Sequence, residues 1–251
     1  MAKCAFCMKT AKLTGEHVNS DWMNRILPGP WTRFFNSSEG PSAEHSSAHL
    51  NWKAKVVCEK CNGGWMSEIE FNHSSPVMGP LIKGEEINIP ITQKNAQSIA
   101  IFAFKTALVV DALRKDEDRF FSQKVRTDFM KTLDIPSNVN IWFCAYLTRE
   151  RRADTLTVYY KGHSSFKGFF DLYVCTFGVG CFAFQVLAVN GFKIGLLFPD
   201  KQFDYLSVPM WPTIHDGFVW PPRRNHRIVA IDTYERFVQY HKRWEASYSL
   251  L

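Results

Sequence analysis

Hydrophobic periodicity in the middle of the chain predicts two helices. Apolar residues recur at helical spacing over residues 95–113, and the remaining faces of that segment are apolar as well. This pattern predicts a central, buried helix that ends in the charged run at residues 114–119. A second amphipathic segment follows at residues 120–133 and stops before Pro136, where a helix is disfavoured.

Segments rich in β-branched and aromatic residues replace the helical pattern in the second half of the chain. Short segments rich in Val, Ile, Phe and Tyr are separated by glycines or charged turns. They cover residues 140–147, 156–160, 170–177, 181–189 and 193–198. We therefore expect four or five antiparallel strands, then a proline-interrupted segment and a helix near residues 233–246. The predicted fold class is α+β.

The first eighty residues have a different character. Pro28 and Pro30 and the polar stretch at residues 36–42 interrupt any regular pattern, which predicts irregular structure. A short helix is expected from about Trp65, entered through Asn62 and two glycines. We predict two domains, residues 1–80 and residues 81–251, the second built from helices and an antiparallel sheet.

Composition narrows the class of protein only slightly. The chain has 251 residues, of which 46% are hydrophobic, and this argues for packed globular structure rather than disorder. The net charge of +6 is compatible with a polyanionic partner but decides little alone. The longest apolar stretch, residues 177–189, is too short for a membrane span of about 20 residues. With no signal-peptide pattern at the start, a cytoplasmic location without membrane contact is expected.

Four cysteines carry the strongest chemical signal. Cys4 and Cys7 form one C-x-x-C motif, and Cys58 and Cys61 form a second. Two such pairs can supply the four thiolates of a tetrahedral structural Zn²⁺ site. Disulfides would need an oxidising compartment, and iron–sulfur clusters usually show other spacings, so zinc is favoured. Three further cysteines are expected to be small buried hydrophobes, namely Cys144, Cys175 and Cys181.

The residues around these motifs resemble the HNH superfamily of ββα-metal endonucleases. The likeness rests on the two C-x-x-C motifs, on the adjacent Glu16 and His17, and on Asn62 directly after Cys61. It is closest to the zinc-binding Cys₄ subgroup of endonuclease VII and covers about the first seventy residues. The resemblance implies that His17 is a general base, and that Glu16 and Asn62 are oxygen ligands of a catalytic Mg²⁺ or Mn²⁺. The zinc would then be structural only.

Elementary chemistry agrees with those implied roles. Phosphodiester hydrolysis needs a deprotonated water and a cation that neutralises charge on the phosphate. An imidazole with an ordinary pKa of about 6.5 can take that proton at neutral pH, which suits His17. Adjacent residues of a strand point to opposite faces, so Glu16 and His17 must approach such a centre from different sides.

Other residues near the motifs receive weaker assignments. The superfamily's middle asparagine, which orients the histidine, is assigned by position to Asn51. Alternatives for this position are Asn19, His45 and His49.

The charged residues beside the second C-x-x-C motif have two interpretations. Lys53, Lys55 and Lys60 could contact phosphates of a nucleic acid or could be ordinary surface lysines. Glu68 and Glu70 could approach the metal, although a solvated helix face is the expected position for both.

Three functions remain open at this point. The first is a metal-dependent endonuclease acting on DNA, with RNA as an alternative substrate, in which residues 81–251 choose targets, regulate or form a homo-oligomer. A bacterial or phage-related defence nuclease would have such a layout. The second is a zinc-dependent nucleic-acid-binding protein without catalysis. The third is a ligand-sensing effector with a nuclease output.

Overall fold

The computed structural model of the protein has an α+β architecture, as predicted. It describes residues 1–29, 31–37, 40–47, 50–84, 89–146, 152–164, 168–191, 208–212, 218–220 and 227–228. The strand expected at residues 193–198 and the helix expected at residues 233–246 lie outside these described residues.

The first part of the chain contains more regular strands than its sequence suggested. The elements are β1 (Ala2–Lys3), β2 (Thr10–Ala11), β3 (Leu13–His17), α1 (Trp22–Ile26), β4 (Trp31–Ser37), β5 (Gly40–Ser47) and β6 (Lys53–Cys58). β3 and β6 pair as a two-stranded antiparallel sheet, which we call the β3–β6 hairpin although α1, β4 and β5 lie between the two strands in the chain. β4 pairs with β5. The irregular structure expected around residues 36–42 is therefore wrong. The polar residues of this stretch predicted a loop because nothing in them indicates that a strand at residues 152–157 pairs with β4.

A long helical stretch follows β6 directly. It starts with α2 (Glu59–Cys61), widens into π-type turns at Asn62–Met66 and Ile69–Ser74, and ends with α3 (Ser75–Lys83). The predicted helix near Trp65 is thus confirmed and extends in both directions. Gly84 ends α3 in the left-handed conformation with φ of 69°, which glycine adopts at little cost.

The two helices predicted from periodicity are present. After the short strand β7 (Ile89–Ile91), α4 spans Gln93–Asp111 and α5 spans Gln123–Thr132. Thr92 and Ser122 accept hydrogen bonds from the backbone amides of Asn95 and Val125, and so cap the two helices. Every residue of α4 from Phe102 to Asp111 is buried, as the apolar faces of this segment predicted.

The second half of the described chain forms most of an eight-stranded sheet. The second half contributes six strands, which are β8 (Val139–Tyr146), β9 (Arg152–Ser164), β10 (Gly168–Val179), β11 (Phe182–Asn190), β12 (Val208–Trp211) and β14 (Arg227–Ile228). The other two strands of the sheet are β4 and β5. The order is β12-β8-β11-β10-β9-β4-β5, and β14 pairs with β8. β8 to β11 are joined by antiparallel pairings, which confirms four of the predicted strands. β13 (Phe218–Trp220) pairs with β7 apart from this sheet.

Contacts cross the boundary expected between residues 80 and 81. β4 pairs in parallel with β9, so a segment of the first part extends the sheet of the second part. One hydrophobic cluster includes Phe6 near the first C-x-x-C motif, Phe102 on α4 and Phe184 on β11. The division into residues 1–80 and 81–251 stays a prediction, and α4 packs against elements of both parts.

None of the helices in the described part of the chain combines the length and apolar character that crossing a membrane requires.

Candidate metal centre and catalytic site

The four predicted cysteine ligands meet at one point. The sulfur atoms of Cys4, Cys7, Cys58 and Cys61 all lie within 4.8 Å of one another. Cys4 and Cys61 are 3.8 Å apart, and Cys7 and Cys58 are 3.7 Å apart. Sulfurs of a tetrahedral zinc site lie about 3.8 Å apart when each Zn–S bond is about 2.3 Å. The donor set and its spacing therefore fit a metal ion such as Zn²⁺.

Backbone hydrogen bonds favour the thiolate form of one cysteine of this cluster. Burial of Cys4 opposes ionisation, but backbone hydrogen bonds from Cys58, Cys7 and Phe6 more than compensate and lower the pKa of Cys4 to about 7. Burial raises the pKa of the Cys7 and Cys61 thiols above the usual value. A bound cation would offset that penalty, because metal ligation favours the deprotonated thiol.

A buried indole next to the cluster supports the same interpretation. Nε1 of Trp65 is buried and has no nitrogen or oxygen partner. Its N–H nevertheless lowers the pKa of the Cys61 thiol, against the larger effect of burial. A thiolate at Cys61 would accept this hydrogen, which is the common arrangement around metal-bound sulfur.

Helix α5 holds the first C-x-x-C motif in place. Arg126 donates to the carbonyl oxygen of Ala5 at 3.0 Å, and Gln123 and Thr127 donate to that of Phe6 at 3.1 and 3.0 Å. The motif is therefore tied to a helix more than a hundred residues away in sequence. The cysteine cluster is therefore fixed to α5 through hydrogen bonds to its first motif.

The β3–β6 hairpin and the helical stretch after it form a ββα unit that carries the predicted catalytic residues. Glu16 and His17 are the last two residues of β3, and they are paired in register with Ala54 and Lys53 of β6. Glu16 is 3% exposed and faces the core, whereas His17 is half-buried. The expectation that the two side chains point to opposite faces is confirmed.

Asn62 lies against the same hairpin. Its side-chain nitrogen donates to Oγ1 of Thr14 at 3.1 Å and to the carbonyl oxygen of Gly15 at 3.4 Å. These bonds hold the amide beside the strand that carries Glu16 and His17. A register shift between Thr14 and Glu16 accompanies this contact.

The carboxylate of Glu16 already has a cationic partner. Nζ of Lys105, from the centre of α4, lies 2.7 Å from Oε1 of Glu16 and 2.5 Å from Oε1 of Glu70. Burial opposes the ammonium form of Lys105, but the two carboxylates outweigh burial and place its pKa above the usual value. Glu16 is thus held by an ion pair, and Glu70 is turned toward the protein rather than toward solvent.

The other predicted residues lie at the surface of this unit. Asn51, Lys53, Lys55 and Lys60 are exposed, and Lys53 is directly opposite His17 on the neighbouring strand. Asn51 precedes the residue whose carbonyl oxygen accepts from Val18, so it is close to the end of the hairpin.

The alternatives to Asn51 divide into two groups. Asn19 is buried, and its Oδ1 has no hydrogen-bond partner. The side chain of His45 and the whole of His49 lie outside the described part of the protein. Asn19 follows the end of β3 by two residues. The structure does not show which of the four candidates, if any, orients His17.

Sequence reasoning missed Lys105 and gave Glu70 the wrong expected position. One signal was present: Lys105 is the only charged residue between Ile99 and Val110, a stretch otherwise composed of apolar residues and one threonine. A lysine in a fully buried helix needs a carboxylate partner. Nothing in the sequence identified which carboxylates those would be.

Comparison with protein-family models, with curated proteins and with solved structures finds no match to this chain.

Proposed function

We propose that this protein is a metal-dependent endonuclease of the HNH type, which hydrolyses phosphodiester bonds in DNA, with RNA as an alternative substrate. The observation that supports this is the ββα unit: a hairpin ending in Glu16 and His17 leads straight into a helix carrying Asn62, beside a four-cysteine cluster. A zinc site alone would need neither the imidazole nor the amide.

In this proposal His17 takes a proton from the attacking water. Its half-buried position on the outer face of the hairpin leaves it accessible to a substrate. Lys53 is the residue opposite His17 on β6, Lys55 lies two positions further along the same strand, and both are exposed, so they can contact adjacent phosphates. Lys60, also exposed, lies in α2 just after the end of β6 and adds a third lysine near this strand.

Glu16 and Asn62 would supply oxygen ligands for a catalytic Mg²⁺ or Mn²⁺, cations that prefer such groups. When bound, that cation would neutralise charge on the phosphate and the leaving oxygen. The four cysteines would hold a structural zinc ion and take no part in the chemistry. A cytoplasmic defence role, and homo-oligomers formed through residues 81–251, belong to this proposal.

The ion pair on Glu16 favours a second candidate. A carboxylate that Lys105 already neutralises at 2.7 Å is less able to bind a divalent cation. A zinc-dependent nucleic-acid-binding protein without hydrolysis would tolerate this arrangement.

Plasmid cleavage separates the two candidates. Zinc-loaded protein incubated with supercoiled DNA and Mg²⁺ or Mn²⁺ is expected to nick or linearise it. His17→Ala should reduce the rate by about 10²–10⁴-fold, the usual contribution of a general base. Thr10→Ala, at an exposed position of β2, is the control.

Zinc content and thermal melting of both variants should match the wild type, because neither residue is one of the four candidate zinc ligands. DNA binding without cleavage in wild-type protein would favour the second candidate. Cleavage that His17→Ala leaves intact would remove His17 as the base.

A further inference from the structure

A buried ammonium joins two carboxylates beneath the candidate catalytic unit. Lys105 is fully buried in α4, Glu16 belongs to β3, and Glu70 lies in the π-type turn Ile69–Ser74. The two Oε1 atoms meet the same Nζ at 2.7 and 2.5 Å. Three separate elements thus bring one cation and two oxygen donors to a single point.

The charges at this point are unequal. Within the described part of the chain, Lys105 is the one cationic side chain that forms an ion pair with either carboxylate. Two carboxylates facing one ammonium leave an excess negative charge in a low-dielectric region. Buried charge of this kind is stabilised by pairing or by metal coordination, so the site favours additional positive charge.

The geometry also suits a metal ion. Carboxylate oxygens from different elements that converge on one point are what hard divalent cations use as ligands, and Oε1 of Glu16 and Oε1 of Glu70 converge on the Lys105 ammonium. The side chain of Glu70 is 12% exposed, compared with 1% for Lys105. Of these two side chains, Glu70 is therefore the one that keeps some contact with solvent.

We propose that Glu16 and Glu70 form one cation site whose resident cation is the Lys105 ammonium, and that a divalent cation such as Mn²⁺ competes with Lys105 for it. The assignment deepens the proposed nuclease function, since it adds Glu70 as a ligand and makes Lys105 a positioning residue. Lys105 weakens divalent-cation binding and keeps Glu16 on the buried face while His17 faces outward. The binding step itself requires no nucleic acid.

Mn²⁺ binding to the zinc-loaded full-length protein, followed by electron paramagnetic resonance without nucleic acid, tests this assignment. Lys105→Met is expected to bind Mn²⁺ at least about tenfold more tightly, because a unit positive charge at contact distance is removed. Glu70→Gln is expected to bind about tenfold more weakly, because one anionic ligand is lost. Glu70→Gln leaves Lys105 paired with Glu16 and should fold. Glu68→Gln, at an exposed position of the same helical stretch, is the control and should bind like the wild type.

Several outcomes decide the matter. Glu70→Gln binding like Glu68→Gln, or a folded Lys105→Met with no gain over wild type, overturns the proposal. If Lys105→Met folds only when Mn²⁺ is present, the proposal is supported. Absence of Mn²⁺ binding to both the wild type and Lys105→Met, folded or not, overturns it. If Lys105→Met does not fold and the wild type binds Mn²⁺, the comparison of Glu70→Gln with Glu68→Gln decides.

Failure here is distinguishable from failure of the nuclease function. Protein that binds Mn²⁺ in the expected pattern but never cleaves DNA refutes the nuclease and leaves the cation site. If the protein cleaves DNA and Glu70→Gln binds Mn²⁺ as tightly as the wild type, only the cation site is refuted.

Discussion

Buried charged side chains in this protein are compensated individually by groups that the fold brings to them. Lys105 meets two carboxylates, and Asp111, at the end of the same helix, accepts from the backbone amides of Phe120 and Phe121 at 2.9 and 3.1 Å. Each interaction uses a side chain on α4 to fix a different neighbouring segment. Burial makes these bonds costly to lose, because the partner left behind cannot turn to water.

Asp111→Asn tests this at the segment between α4 and α5. An asparagine retains one acceptor oxygen but directs an NH₂ group at the second amide, so one hydrogen bond is replaced by two facing donors. We expect a loss of about 1–3 kcal/mol in the free energy of unfolding, measured by urea denaturation. Asp128→Asn, on the outer side of α5 in an exposed ion pair, should lose less than about 1 kcal/mol. Equal losses in the two variants would contradict the argument.

At the scale of the elements, the turn between β10 and β11 restricts the residue type at position 180. Gly180 has a φ of 55°, and a Cβ at this position would lie 2.3 Å from the carbonyl oxygen of Ile82 in α3. The same carbonyl accepts from the backbone amide of Cys181 at 2.9 Å. The glycine therefore permits the sheet turn to dock against the end of α3.

Gly180→Ala is accordingly expected to lower stability by at least about 1–3 kcal/mol, since it adds backbone strain and a clash with backbone that has little freedom to move. Gly63→Ala is the matched control, because a Cβ there meets nothing within 4 Å. The control should be unchanged or more stable by up to about 1 kcal/mol. Thermal melting of both variants, monitored by circular dichroism, makes the comparison. An alanine at position 180 without effect would mean that the turn does not depend on this contact.

At the scale of the whole molecule, the cysteine cluster joins segments that are distant in the chain. It links the first motif, held by α5, to the end of β6 and the start of the helical stretch. β4 and β5 lie in the chain between the two C-x-x-C motifs, and they join the large sheet because β4 pairs with β9. A metal ion at the cluster would therefore stabilise more than its own loops.

Cys58→Ser tests this coupling. Removing one of four thiolate ligands should abolish stoichiometric zinc binding, measured by elemental analysis, and should lower the melting temperature of the whole chain. Cys181→Ser, a half-buried thiol outside the cluster, should retain one zinc ion per chain. Wild-type protein treated with a chelator should behave like Cys58→Ser. A Cys58→Ser protein with unchanged melting temperature and zinc content would refute the cluster as a metal site.

Local pattern was sufficient for much of this protein. The periodicity of residues 95–113 specified α4, because a helix that is apolar on every face has to be buried wherever it packs. Short segments rich in β-branched and aromatic residues predicted β8 to β11, and adjacency in a strand placed Glu16 and His17 on opposite faces. The spacing of two C-x-x-C motifs predicted that their sulfurs converge, since a short motif directs both thiols to one side.

Only the tertiary structure decided which distant residues became partners. Glu16 and Lys105 are 89 positions apart, and their ion pair depends on how α4 packs beneath the β3–β6 hairpin. The parallel pairing of β4 with β9 likewise joins two segments that carry no mutual signal in the sequence. Residue type and spacing determine which groups need a partner. The packing of elements far apart in the chain determines which partner each group receives, because burial and electrostatic compensation are properties of the assembled core.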